Sequence, residues 1–146
     1  MRNWIDEPDA PARILPGLDD INRPYWTGGA DGKLLIARCA SCATYQHPPF
    51  SRCASCGGAD MVPTPVSGRG RIKSFTVNRQ QWMPDLPVPF VFAAVELDEQ
   101  VGLYVLANVV GCPVEAVDFD MPVEVCFLQQ EDVFLPMFTP VSGSDA

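Results

Sequence analysis

Histidine occurs once in the chain, at His47. That scarcity limits catalysis, because Ser-His-Asp and Cys-His arrangements each need an imidazole base and only one is available. Lysine and arginine are missing from the whole second half. All ten lie at or before Arg79, alongside seven acids, and from Gln80 onward eleven acids stand with no cation. The two parts carry +3 and −11, giving the net −8. This balance disfavours bulk nucleic-acid binding, since neutralising phosphates takes Lys and Arg in quantity. A local anion site in the first half stays open. No apolar run approaches the roughly 20 residues of a membrane helix. Met1-Arg2-Asn3-Trp4-Ile5-Asp6 lacks the apolar stretch of a secretory signal, so a cytoplasmic protein with no membrane partner is expected. A Gly-rich phosphate loop between strand and helix is also lacking; Gly68 and Gly70 read more simply as the bent start of a strand.

What the chain does have is a pair of knuckles, Cys39-Ala-Ser-Cys42 and Cys53-Ala-Ser-Cys56, with ten residues between them. Four thiolates at this spacing match one tetrahedral ion, with Zn–S bonds of about 2.3 Å. A structural Zn²⁺ is the first reading; an iron site of rubredoxin type and a pair of disulfides are the alternatives. The missing secretory signal counts against disulfides. Gly57-Gly58 follows the second knuckle, where the chain must turn with φ > 0, whereas Ala43 follows the first. A metal closed in by four sulfurs has no open position for water, which disfavours metal-assisted hydrolysis. Cys112 and Cys126 have no partner at ligand spacing and read as buried thiols.

The composition, 47% hydrophobic and 19% charged, is enough to bury a core. Residues 1–32 read as an arm and a short helix, with an extended, Pro-rich beginning through Pro16. The helix signal lies in Gly17 to Trp26, where Pro24 suits a first turn and Gly28-Gly29 would stop it. Lys33-Leu34-Leu35-Ile36-Ala37-Arg38 is a β-like run entering the first knuckle, and residues 33–63 form the ribbon. Residues 64–141 are all-β: strands are expected near 68–77, 90–97, 102–110 and 121–128, with a short final strand or edge at 134–138. About five strands fit a small closed barrel, which Val114 to Phe119 would cap with a helical turn. Residues 142–146 are expected to be a flexible tail.

Several motifs in fixed order carry a resemblance. They are Pro24-Tyr25-Trp26, Gly32-Lys33-Leu34, Arg38-Cys39-Ala40-Ser41-Cys42, His47-Pro48-Pro49, Cys53-Ala54-Ser55-Cys56, Ser67-Gly68-Arg69-Gly70 and Leu135-Pro136-Met137-Phe138. Over roughly residues 22 to 140 the chain resembles the bacterial and archaeal family with a rubredoxin-like zinc ribbon followed by an OB-fold, long catalogued as a domain of unknown function. The resemblance implies a mainly β fold: an N-terminal short helix, the ribbon and a five-stranded OB-fold barrel. It also implies a non-catalytic accessory subunit in a heteromeric complex. The partners it implies are acyl-CoA enzymes: thiolase-fold aldolases or thiolases of the sterol-carrier type, or hot-dog-fold enoyl-CoA hydratases, some in steroid and lipid degradation. Two departures stand out. Asp120 stands where many members carry Gly before Met-Pro-Val, and the helix region is short and acidic at Asp19-Asp20.

The candidate binding residues each have a plainer reading. Arg69, Arg71 and Lys73 alternate and so project from one face of a regular strand; they are a solvated barrel face, or an anion site for the phosphates of coenzyme A or for a partner's acids. Tyr25 and Trp26 either pack the arm onto the barrel or anchor an interface; the resemblance favours the interface, or the lining of an acyl-CoA channel. Phe50 is ribbon core or joins them. His47, before Pro48-Pro49, reads as a rigid structural residue beside that surface. The competing function is a stand-alone module binding acyl-CoA or single-stranded nucleic acid.

Overall fold

The computed structural model describes residues 13–141 together with the backbone of Trp4–Ile5. The rest of the expected arm over 1–12 and the tail over 142–146 fall outside the described residues. In chain order the elements are β1 (Trp4–Ile5), α1 (Arg23–Thr27), a 3-10 turn (Gly28–Asp31), β2 (Leu34–Cys39), β3 (Tyr45–Gln46), β4 (Met61–Val66) and β5 (Arg69–Asn78). Then follow β6 (Phe90–Leu97), β7 (Tyr104–Val109), a second 3-10 turn (Val114–Ala116), β8 (Pro122–Gln130) and β9 (Val133–Pro140).

Five strands close a barrel. β5 pairs antiparallel with β6 and β8, β6 with β7, and β8 with β9. The ring shuts where β7 meets β9 in parallel, Val109 opposite Phe138. Alternation builds the interior: Val91, Ala93, Val95 and Leu97 of β6 and Val105, Ala107 and Val109 of β7 point inward and are buried. Phe127 and Phe138 fill the centre with no exposed surface, each contributing about 1.5–3 kcal/mol by leaving water. β9 differs from the short strand or edge expected at 134–138, since it runs eight residues and completes the ring. Pro136 hides it in the sequence. The residue is tolerated because β7 reaches β9 only at the Val109–Phe138 pair, leaving Pro136 no ladder to interrupt on that side.

The ribbon is a separate three-stranded sheet in the order β3-β2-β4. Pro63 and Pro65 lie within β4, opposite Ala37 and Leu35; an edge strand accepts them because a missing N–H costs nothing on the open side. Leu34 and Ile36 of β2 pack into the same core cluster as Ile72 and Val95 of the barrel. The turn after β6 ties the two sheets together. Tyr45 N–H donates to Gln100 Oε1 at 2.9 Å and Gln100 Nε2 donates to Tyr45 O at 3.0 Å. Next to it, Glu99 Oε2 accepts from Ser67 N–H at 2.7 Å.

Helix α1 begins as expected, with Pro24 in its first turn and Asp19 Oδ1 accepting from the amides of Ile21 and Asn22 at 2.8 and 2.7 Å. Gly28-Gly29 does more than stop it. The chain tightens into the 3-10 turn and Gly29 presses onto β8 and β9, where an added Cβ would lie 2.5 Å from Phe134 Cβ and 2.7 Å from the Phe127 ring. Among the described residues no helix is long and apolar enough to cross a membrane.

Candidate functional site

Cys39, Cys42, Cys53 and Cys56 converge, all four Sγ atoms lying within 4.8 Å of one another. Cys39 Sγ is 3.6 Å from Cys56 Sγ, and Cys42 Sγ is 3.6 Å from Cys53 Sγ. A tetrahedron with bonds of about 2.3 Å has edges of about 3.8 Å, so the donor set is already near the size of a Zn²⁺ shell. The thiols are free and the sulfurs far beyond disulfide length, which removes the disulfide alternative.

Both knuckles close alike. Ala43 N–H donates to Cys39 O at 2.8 Å and Gly57 N–H to Cys53 O at 2.9 Å. Each closing residue is left-handed, with φ 66° at Ala43 and 76° at Gly57. The knuckles are therefore geometrically equivalent although their sequences differ, and Ala43 accepts a conformation that Gly57 adopts freely. Amides then turn toward sulfur: Ser55 N–H to Cys53 Sγ at 3.3 Å and Gly58 N–H to Cys56 Sγ at 3.4 Å. Hydrogen bonding from the Thr44 side chain, and then from its backbone, holds the Cys42 thiol down at about 6. The Gly58 amide favours the thiolate of Cys56, but hydrogen bonds with Cys39 and Cys42 outweigh it and push that thiol up to about 11. A bound cation would reverse the second shift, because ligating thiols are deprotonated, and metal uptake would release protons. The site fits a closed structural ion and offers no coordination position for substrate.

Tyr25, Trp26 and His47 come together beside the ribbon. The Tyr25 ring meets Trp26 edge-on at 4.7 Å and His47 at 4.5 Å between centroids. Tyr25 is buried, which pushes its phenol well above the ordinary tyrosine range, and burial lowers the His47 imidazole to about 4. His47 is therefore neutral at physiological pH. Two open clefts flank this cluster. One, of about 760 Å³, runs between α1 and the ribbon loop and brings in Phe50, Tyr104 and Leu106. The other, of about 430 Å³, lies on the far side of Tyr25 and Trp26 and is walled by Met83, Phe92 and Leu106. Phe50 is 60% exposed, so it is no part of the ribbon core.

Arg69, Arg71 and Lys73 share one exposed face of β5, alternating with the buried Gly70 and Ile72, and a β-bulge between Ile72 and Ser74 ends the regular alternation there. Each cation meets an acceptor of its own chain. Arg69 Nη2 lies 3.8 Å from Glu124 Oε2, and Arg71 Nη1 donates to Asp120 O at 2.9 Å. Lys73 Nζ reaches Asp120 Oδ1 at 2.7 Å and Glu96 Oε1 at 4.0 Å. The Asp120 hydrogen bond raises the Lys73 ammonium, and Lys73 holds the Asp120 carboxyl down. Asp120 has φ 61°, so the position that favours Gly is filled by a residue whose side chain finds a cation instead. An external anion would have to compete with these groups.

Two family profiles match the chain in sequence. The rubredoxin-like zinc ribbon domain of ChsH2 covers residues 26–62, and the C-terminal OB-fold domain of ChsH2 covers residues 63–128. The solved structure described as an Ltp2-ChsH2(DUF35) aldolase superposes with a TM-score of 0.78 at 31% identity, covering 86% of this chain and 98% of that one. The chain belongs to the ChsH2 family. The ChsH2 assignment makes the barrel an OB-fold and the four-cysteine lobe a rubredoxin-like zinc ribbon, as the ordered motifs implied. Curated relatives include a probable enoyl-CoA hydratase alpha subunit of Thermomonospora curvata, 32% identical over 88% of this chain. They also include the 3-oxo-4,17-pregnadiene-20-carboxyl-CoA hydratase alpha subunit of Mycobacterium tuberculosis, 30% identical over 92%. The benzoylsuccinyl-CoA thiolase subunit BbsA of Thauera aromatica is 32% identical over 68%. The chain spans 40%, 42% and 62% of these three proteins, respectively. A DUF35 protein of unknown function from Sulfolobus solfataricus shares the fold, with a TM-score of 0.55 at 16% identity.

Sequence reasoning singled out the ligand cysteines and the Tyr25–Trp26–His47 group. It missed Gln100, which ties ribbon to barrel, and Phe92 and Leu106, which wall the clefts. Gln100 carried no signal beyond a place in a turn. Phe92 and Leu106 sit in strands apolar on both faces, where alternation is too faint to separate outside from inside.

Proposed function

We propose that this chain is an accessory subunit of an acyl-CoA enzyme, binding and supporting a catalytic partner without carrying out the chemistry itself. The partner is a thiolase-fold aldolase or thiolase acting in steroid or lipid degradation. One observation carries the reading: the match extends over nearly the whole ChsH2 chain of a solved aldolase complex, at 31% identity. The site's chemistry agrees. Four thiolates would saturate a tetrahedral metal shell, and the lone imidazole is neutral, tilted against Tyr25, with no nucleophile hydrogen-bonded to it among the described residues.

Cys39, Cys42, Cys53 and Cys56 would hold a structural Zn²⁺, fixing the ribbon that carries His47 and Phe50. Tyr25, Trp26, His47 and Phe50 then form the surface offered to the partner or to its acyl-CoA. Arg69, Arg71 and Lys73 are the cations that a partner's acids or a coenzyme A phosphate would contest. The two hydratase alpha subunits among the relatives support a hot-dog-fold enoyl-CoA hydratase as the second candidate partner.

The test is reconstitution. The full chain is co-expressed with the host's thiolase-fold and hydratase subunits, and acyl-CoA cleavage or hydration is followed with and without it. The expected result is a stable complex whose activity depends on both chains. Substantial turnover by the isolated chain would sink the accessory reading.

A further inference from the structure

The two clefts are parts of one trough. They share Tyr25, Trp26 and Leu106 as a common wall. Large apolar side chains left in water concentrate there. Of the eleven on the described residues, four line one cleft (Ile14, Met83, Phe92 and Leu106) and four line the other (Ile21, Phe50, Tyr104 and Leu106). With Leu106 common to both, seven of the eleven lie along the trough. Leu106 is 60% exposed and Phe92 45% on the outer faces of β7 and β6. A lone surface leucine needs no explanation, but a contiguous apolar strip of this kind marks an interaction surface.

Charge gives the occupant its character. Each cleft holds one carboxylate, Asp19 in the cleft bordered by α1 and Asp85 in the cleft bordered by the β5–β6 loop. Arg13, the cation in the second cleft, donates from Nη1 to Asn108 Oδ1 at 3.0 Å. His47 is neutral because burial lowers it. The apolar floor is thus flanked by a lone carboxylate, Asp19, in the cleft beside α1, whereas in the other cleft Asp85 is balanced by the Arg13 cation.

We infer that this trough, centred on Phe92 and Leu106, is the docking surface for the catalytic partner. Its occupant is an apolar ridge of that protein with a Lys or Arg at the end that faces Asp19. The inference rests on the accessory-subunit reading and adds the surface and its chemistry. Burial of the apolar strip supplies affinity, and the Asp19 carboxylate orients the ridge and speeds its approach.

Binding of the full-length, zinc-loaded chain to the host's purified thiolase-fold and hydratase subunits is measured by calorimetry. The variants are Leu106→Asp and Phe92→Asp in the trough and Val101→Asp as control; Val101 is 91% exposed and lines neither cleft. Each trough variant should weaken binding by about tenfold or more, with a thermal midpoint close to that of the parent, while Val101→Asp binds normally. Asp19→Asn should flatten the fall of affinity with added salt. If the parent binds and both trough variants bind equally well, the trough is wrong and the accessory reading stands. If the parent binds neither enzyme, both fail.

Discussion

His47 is a half-buried base, and its ring lies 4.5 Å from that of Tyr25. Burial takes its pKa from 6.5 to about 4. Below pH 6.5 the unfolded chain therefore accepts a proton that the native protein refuses. The stabilisation from a neutral His47 is complete above about pH 6.5 and is lost as pH falls toward 4, a span worth about 3 kcal/mol. Replacing His47 with Phe should flatten that part of the profile. Chemical denaturation at pH 7 and pH 4.5, with zinc in excess, measures the difference, and identical acid sensitivity in parent and variant would discount the shift. The sequence revealed His47 as the lone imidazole and as a structural residue, but nothing local told how deeply it sits. The ring that packs against it, Tyr25, lies about twenty residues away in sequence. At Ala43 legibility failed differently. Gly57 declared its left-handed turn, whereas the first knuckle makes the same turn with a residue that does not advertise it.

The informative feature among the elements is the Gln100 clamp. Both polar ends of one amide side chain bond the backbone of Tyr45 in β3, replacing the ladder partner that a two-residue strand otherwise lacks. Substituting Gln100 with Ala should cost about 1–2 kcal/mol, since two hydrogen bonds go and two half-buried backbone groups must find water. Urea denaturation gives the figure. Faster amide exchange at Tyr45, with the interior of β6 unaffected, would place the loss at the clamp; unchanged stability and exchange would remove its significance. Strands β5, β6, β7 and β8 were legible because β-branched and aromatic residues run between clear turn signals. β4 and β9 were less so, since Pro63, Pro65 and Pro136 imitate loop chemistry and only strand order shows that each has an edge to spare. The candidate site was legible where spacing is itself chemistry, as in the knuckles. It was obscure where the site is a surface assembled from α1, β6, β7 and two loops.

For the whole molecule, the ribbon and barrel share one core through Leu34 and Ile36. Losing the metal should therefore be felt beyond the four-cysteine lobe. Stripping zinc with a chelator, or substituting Cys53 with Ser, should lower the thermal midpoint by roughly 10 °C or more, on an estimate of about 3 kcal/mol or more of metal-linked folding energy. Calorimetry with metal analysis tests this: one transition shifted as a unit is expected, and a barrel melting at its original temperature would show the lobes to be independent. Charge is divided as unevenly as the core is shared. β5 is the only barrel strand carrying Lys or Arg, and its neighbours set carboxylates opposite them, Glu96 across from Arg71 and Glu124 across from Arg69. If β6 and β8 paired with each other they would bring like charges together, and a one-residue slip of either would carry its carboxylate to the wrong side of the sheet. β5 thus works as an address label. A barrel whose other strands are nearly interchangeable in apolar pattern has one seat that only the cationic strand can take, and the order of the remaining strands follows from it.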